Sequence, residues 1–233
     1  MLNFFKKIIP FLIARFAPRG ARQTFSTCGE DLMMLDMLGE FGIKKATYID
    51  IGAHHPIFGN NTYLLYKKGG HGVLVEPNPK LCEQIKSKRP RDICLNAGAG
   101  RIDGNADFFI FKRDTRSTFS PDQASGWQEE SGQKPTMANH KIFSLDSIIN
   151  QNFKDGHPDI VSIDAEGYDV EILSGFSFKK RPKVICIESV FREAEEANLH
   201  DQKIYNLFKI NNYKLEVQTR NNSIFVDKQI FRK

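Results

Sequence analysis

Two short runs decide how this chain reads: Tyr48-Ile49-Asp50-Ile51-Gly52-Ala53 and Val73-Leu74-Val75-Glu76-Pro77-Asn78. Each is a brief apolar segment, rich in β-branched residues, that ends on an acid and a turn residue. That is the pattern of a buried strand followed by a loop. Between them, residues 62–68 carry apolar side chains at helical spacing, so the first unit is strand, helix, strand. The same alternation predicts a helix over 79–88 and strands or helices in turn at 93–97, 141–145, 146–152, 159–164, 169–173 and 183–188. A helix over 204–210 and two strands, 214–218 and 223–226, joined through Asn221-Asn222, close the chain as an antiparallel hairpin. The fold class is therefore α/β: a Rossmann-like, doubly wound, mostly parallel sheet with a C-terminal antiparallel hairpin.

Two regions depart from this rhythm. Upstream, Thr27-Cys28-Gly29-Glu30 has the spacing of a capping box with Thr27 as N-cap, and Leu32, Leu35 and Leu38 continue it as a helix. In the middle, a strand over 106–111 gives way to a polar, glycine-bearing stretch, 114–133, with little periodicity. It reads as a long loop, and loops of that length serve as lids or binding loops or are simply disordered.

In an open parallel sheet the ligand lies beyond the carboxyl ends of the strands. Here those ends are acidic: Asp50, Glu76, Asp164 with Glu166 just after, and Glu188. An acid closing the second strand is placed to accept hydrogen bonds from two ribose hydroxyls, which suits NAD and S-adenosylmethionine equally. The first turn separates the two cofactors. A dinucleotide pyrophosphate calls for Gly-x-Gly-x-x-Gly and is repelled by a nearby carboxylate. Asp50-Ile51-Gly52-Ala53-His54-His55-Pro56 offers one glycine and one acid. S-adenosylmethionine carries a sulfonium and an ammonium and no phosphate, so its charge matches that turn.

The remaining composition narrows the class without fixing it. At 233 residues, 40% hydrophobic and 26% charged, the chain has the makings of a folded core. It reads as a basic, amphipathic segment over 1–26 and a single domain over 27–233. The segment is too short and too interrupted by Pro10 to span a membrane, and it has no evident cleavage site. Residues 1–17 could rest on a membrane surface or pack as an amphipathic helix. The net charge of +5 welcomes anionic partners, but the basic residues, including the run 86–91, are dispersed in the manner of a solvated surface. Four cysteines without a Cys-x-x-Cys pair point to reduced thiols in the cytoplasm and to no zinc site. Cys94 and Cys186, in apolar runs, read as small buried hydrophobes.

The ordered set Gly29-Glu30-Asp31-Leu32, Tyr48-Ile49-Asp50-Ile51-Gly52-Ala53, Asn61-Thr62-Tyr63, Glu76-Pro77-Asn78-Pro79, Leu95-Asn96-Ala97-Gly98, Ser144-Leu145-Asp146 and Ile163-Asp164-Ala165-Glu166-Gly167 resembles the FkbM family of S-adenosylmethionine-dependent methyltransferases. The likeness implies a class I methyltransferase fold and O-methylation of a sugar, polysaccharide or secondary metabolite. It implies that Asp50, Gly52, Ala53, Glu76 and Pro77 hold the cofactor and that Asn96 and Ala97 approach its adenine. Many family members carry asparagine at the place of His54 and a further glycine near Pro56, so the cofactor's amino-acid end is held differently here. Enzymes acting on exocyclic amines of bases usually carry an Asn/Asp-Pro-Pro-aromatic turn after the fourth strand. Asp164-Ala165-Glu166-Gly167 lacks it, which disfavours nucleic acid as the partner and favours a glycan or small-molecule hydroxyl.

Methyl transfer to an alcohol needs alignment and removal of a proton. Asp164, Glu166 and His54 are the candidate catalytic residues, with His55 beside them; a general base contributes on the order of 10²–10⁴ in rate. Asp164 with Glu166 could meet a divalent ion, but no third ligand is assured, and no metal is expected. Glu30 and Asp31 read as helix-capping acids, while Trp127 and His140 could meet a sugar face. Two other readings share these residues: an NAD-dependent sugar enzyme, motivated by Glu76, and a non-catalytic glycan- or RNA-binding module on the same scaffold.

Overall fold

The computed structural model describes residues 22–154, 156–189 and 199–230, so the N-terminal segment 1–21 lies outside the described residues. The sheet expected from the alternating pattern is present. Strands β1 (Thr47–Ile51), β2 (His71–Val75), β3 (Ile93–Leu95), β7 (Ile160–Ile163) and β8 (Val184–Glu188) run parallel, and β9 (Tyr213–Gln218) and β10 (Asn222–Asp227) complete the edge in antiparallel pairing. Their order is β3-β2-β1-β7-β8-β10-β9. The reversal of winding falls between β1 and β7, so the ends of those two strands open the ligand crevice.

A strand's side chains alternate between faces, and both faces here are apolar. Ile49, Ile51, Val73, Val75, Val161, Ile163, Ile185 and Ile187 pack against α5 (Leu145–Asn152), α6 (Asp169–Ser174) and α7 (Leu199–Ile210). Tyr48, Leu74, Ile160, Val184, Cys186 and Ile224 face α1 (Glu30–Glu40), α2 (Tyr63–Lys67) and α3 (Pro79–Lys88). Cys82, Cys94 and Cys186 are buried free thiols, and burial pushes the Cys186 thiol well above its ordinary range. Among the described residues no helix is long and apolar enough to cross a membrane.

Three readings of the sequence need correction. The capping box at Thr27 does not form: α1 starts after Gly29, which takes the left-handed φ of 87° at the N-cap. Glu30 does reach back to the Cys28 amide at 2.8 Å, but Ser26 accepts the Gly29 and Asp31 amides. The stretch 114–133 is structured rather than a loop. It contains a 3-10 turn (Asp114–Arg116), a bridge from Thr118 to Phe109 and helix α4 (Pro121–Ser131). Ser120 caps α4, Pro121 occupies its first turn, and Gly132 ends it in the left-handed region. Finally, the run 86–91 is not all solvated surface, because Arg89 is wholly buried.

Between β3 and β7 the chain builds a small second sheet, ordered β4-β6-β5 from β4 (Gly98–Gly100), β5 (Gly104–Ile110) and β6 (Thr136–Ser144). Phe108, Phe119 and Ile142 form its core, with Tyr168 packed against it. Thr118 donates to the Glu166 carbonyl at 2.8 Å. The insertion is thereby fastened to the loop that follows β7, beside the crevice.

Candidate active site

The turn after β1 is shaped by one close approach. Gly52 has φ 74°, and a Cβ placed there would lie 1.8 Å from the Asp164 carbonyl oxygen. Only glycine lets the β1 turn pass this close to the end of β7. The Gly52 amide donates to the Val75 carbonyl and the Asp164 amide to the Ile51 carbonyl, both at 3.0 Å, so the ends of β1, β2 and β7 are mutually fixed.

Glu76 lies just beyond β2 and is 5% exposed. Its carboxylate accepts the His54 amide and the Asn78 amide, each at 2.8 Å, which aims it across the β1 turn. Burial pushes its carboxyl upward and these two hydrogen bonds pull it back. Asn78 also caps α3 through the Lys80 amide. Asn96 donates to the carbonyls of Glu76 and Pro77 at 3.0 and 2.9 Å, tying the β3 end to the β2 turn, and Ala97 is buried next to it. Gly52, Ala53, Glu76, Pro77, Asn96 and Ala97 thus gather at the carboxyl ends of β1, β2 and β3.

Asp50 sits lower. It is buried, and its carboxylate accepts from Thr62 at 2.6 Å and Asn60 at 3.1 Å, so it braces the turn from beneath. Burial pushes its carboxyl up, opposed by Arg89. Arg89 is the centre of a network that sequence reading missed. Its guanidinium reaches Asp92 at 2.7 Å, Thr62 at 2.9 Å, Asn60 at 3.0 Å and Tyr48 at 3.2 Å. Asp92 in turn accepts from Tyr48 and from the Gly72 amide. This wholly buried ion pair holds Asn60 and Thr62 against Asp50, so it reaches the β1 turn through two relays.

The β7 side of the crevice is acidic. Asp164, Glu166 and Glu188 are half-buried at the ends of β7 and β8. Burial is the main cause that pushes all three carboxyls up, and each is raised further by neighbouring acids. Glu166 is pushed up to about 8, with Arg113 and Arg116 pulling the other way. It occupies φ 51°, a left-handed conformation rare outside glycine. Asp169 is buried and accepts the Ala165 and Gly167 amides at 3.1 and 3.2 Å, fixing the loop that presents Asp164 and Glu166.

His54, at φ 47°, projects toward the insertion, with Nε2 3.4 Å from the Asp114 carboxylate. His55 instead caps its own turn, its Nδ1 accepting the Ile57 and Phe58 amides. Glu30 receives hydrogen bonds from Thr219 and Asn222, and Asp31 from Thr24, Ser26 and Phe25. Trp127 lies on α4 against Phe111 and Arg116, and His140 edges onto Phe108; both belong to the insertion's packing. A groove lined by Arg22, Leu32, Leu35, Leu64 and Lys67 lies between α1 and α2, away from these groups. Among the described residues no cluster of three or more His, Cys, Asp or Glu could hold a metal ion.

The donor set fits S-adenosylmethionine. Glu76 offers a fixed acceptor for ribose hydroxyls, the Gly52 turn allows backbone approach, and the acids at β7 and β8 suit a cationic ligand. The same acids would oppose a pyrophosphate.

The FkbM methyltransferase domain model matches residues 50–215. No curated protein matches the chain. Among solved structures, an O-methyltransferase from Bacillus cereus bound to SAH is similar at 14% identity and TM-score 0.46, over 97% of this chain and 91% of that one. A TehB-like SAM-dependent methyltransferase from Corynebacterium glutamicum is similar at 11% identity and TM-score 0.42, over 97% of each chain.

Proposed function

Because the chain belongs to the FkbM methyltransferase family, whose methyl donor is S-adenosylmethionine, we propose that it methylates a hydroxyl of a sugar, polysaccharide or glycosylated metabolite. The observation that carries the reading is the crevice between β1 and β7. One edge has a ribose-directed acid at Glu76 and a close-approach glycine at Gly52. The other has Asp164 and Glu166, whose carboxyls are pushed up by burial and neighbouring acids.

When bound, the cofactor supplies an electrophilic methyl group on a sulfonium that leaves as a neutral thioether. The remaining work falls to the protein. Glu76, fixed by two amides, orients the ribose. Asp50 stabilises the turn through Asn60 and Thr62. Asp164, at the strand end closest to Gly52, takes the hydroxyl proton, because a carboxyl raised toward neutrality accepts a proton more effectively than an ordinary one while still being ionised in part. Glu166 and His54 line the acceptor side. The insertion is fastened beside this side through Thr118.

The test is incorporation of label. Protein incubated with methyl-labelled S-adenosylmethionine and cell extract, then fractionated into glycan, lipid, nucleic acid and small-molecule pools, should mark the glycan or glycosylated small-molecule pool. Label confined to nucleic acid, or to none of the pools, would refute the acceptor class.

A further inference from the structure

The acids at the strand ends have different partners. Asp50 is engaged by Asn60 and Thr62, and Glu76 by two amides. Asp164 and Glu188 engage each other. In the parallel pairing of β7 with β8, Ile163 stands opposite Ile187, so Asp164 and Glu188 are the next residues along. Val184 and Cys186 face the α1 layer, and alternation sends Glu188 to the same face; Ile160 and Ser162 send Asp164 there too. The two carboxyls are therefore same-face neighbours on paired strands. Two adjacent, half-buried carboxylates repel each other when both are ionised, so the pair retains one proton.

The groups around the pair leave that proton in place. Asp50 from β1, Glu166 from the loop after β7 and Asp169 from the start of α6 all oppose a second negative charge. Glu30 of α1 approaches from beneath, beside Cys186. His54 faces Asp164 from the β1 turn and favours its ionised form, while Arg113 and Arg116 act on Glu166.

A second observation lies directly across β8. Asn222 of β10 is the cross-strand partner of Glu188, so their side chains share a face. Asn222 is 5% exposed, its Nδ2 donates to Glu30 at 3.0 Å, and its Oδ1 has no donor among the described residues. A buried acceptor left without a donor costs free energy, and a ligand hydroxyl would satisfy it.

We propose that Asp164 and Glu188 form one proton-sharing unit that receives the acceptor's hydroxyl proton, while Asn222 accepts a hydrogen bond from a second hydroxyl of the same acceptor. This rests on the methyltransferase reading and makes the acceptor a polyol. In the reaction the acceptor O–H breaks as the new O–CH₃ bond forms. The S–CH₃ bonding pair stays on sulfur, and the proton passes to Asp164. The pair, entering with one proton, leaves with two and returns one to water after product departs. Asp164 is the catalytic residue; Glu188 is a positioning residue that keeps Asp164 ionised by holding the shared proton.

Carboxyl ¹³C NMR titration of the full chain bound to S-adenosylhomocysteine tests the pair without needing an acceptor. In the wild type the Asp164 and Glu188 carboxyls should titrate together, in two steps. Glu188→Gln replaces the proton-holding acid by an amide that does not titrate, so Asp164 should then titrate in a single step and the second, more alkaline step should vanish. The acid limb of the kcat profile, set by ionisation of Asp164, should stay where it is. Asp164→Asn reads the same coupling from the Glu188 side if the first variant does not fold. Asn222→Ala should raise KM for a polyol about tenfold with cofactor affinity unchanged. Independent single titrations of the two carboxyls in the ordinary carboxylate range would overturn the pair, as would a two-step Asp164 titration that survives in Glu188→Gln. An unchanged KM in Asn222→Ala would overturn the second contact. Failure of the wild type to methylate any acceptor would instead refute the methyltransferase reading, and the titration would still decide whether the pair shares a proton.

Discussion

Gly52→Ala places the heaviest demand on the account of the β1 turn. Two costs are read directly from the structure. The backbone at φ 74° is left-handed, which costs a residue with a Cβ about 1–2 kcal/mol. The new methyl would also stand 1.8 Å from the Asp164 carbonyl oxygen and 2.9 Å from its carbon. Those are backbone atoms, so relief requires β1 and β7 to part at their carboxyl ends, an overpacking cost of about 1–3 kcal/mol. Together the loss of stability should be about 2–5 kcal/mol, with cofactor affinity falling by more than tenfold because the crevice itself is displaced. Urea denaturation measures the first and calorimetry with S-adenosylhomocysteine the second. Gly104→Ala, where a Cβ meets nothing within 4 Å, serves as the control and should change stability by less than about 0.5 kcal/mol. A Gly52→Ala protein as stable as that control, binding cofactor as tightly as the wild type, would refute the close-approach argument.

Further outcomes follow from the same geometry. Arg89→Leu strips the buried Asp92 of its charge partner and removes one donor each from Asn60 and Thr62, so stability should drop by about 3–5 kcal/mol in chemical denaturation. Asp164→Asn should lower kcat by on the order of 10²-fold while leaving cofactor affinity within about threefold, as read by steady-state kinetics and calorimetry. Equal losses of both would make Asp164 a cofactor residue. Glu166 is pushed up to about 8, so its neutral form favours the fold below the ordinary carboxylate range and that advantage is lost as pH rises through about 8. Glu166→Gln should therefore gain stability relative to wild type as pH rises from about 4.5 to about 8, and a difference in Tm that stays flat across that window would contradict the assignment.

Much of this molecule was legible from the chain because strands buried on both faces announce themselves as continuous apolar runs. The acids at 50, 76, 164 and 188 marked where those runs stop, and all four fall at the carboxyl ends of parallel strands. Helix α4 was hidden for the opposite reason. It buries only Ala124, so it has no apolar stripe, and Gly126 and two serines dilute its propensity. Its signal lay in the ends, where Ser120-Pro121 and Gly132 are start and stop residues. Thr27 misled because Gly29 could adopt a backbone conformation that moves the helix start two residues on. Arg89 looked like one cation in a basic run; its burial depends on Tyr48, Asn60 and Thr62, more than 25 residues upstream in sequence. The approach of Asp114 to His54 is likewise a product of the insertion's fold, which no local pattern encodes.

The central claim is that Glu76 and the Gly52 turn hold S-adenosylmethionine. Calorimetric titration of S-adenosylmethionine into the wild type and into Glu76→Ala measures it most directly. The wild type should bind with one site per chain. The variant, deprived of a charged acceptor for the ribose hydroxyls, should bind at least tenfold more weakly, a loss of about 1.5–3 kcal/mol. No binding by the wild type, or equal affinity in the two proteins, would contradict the account.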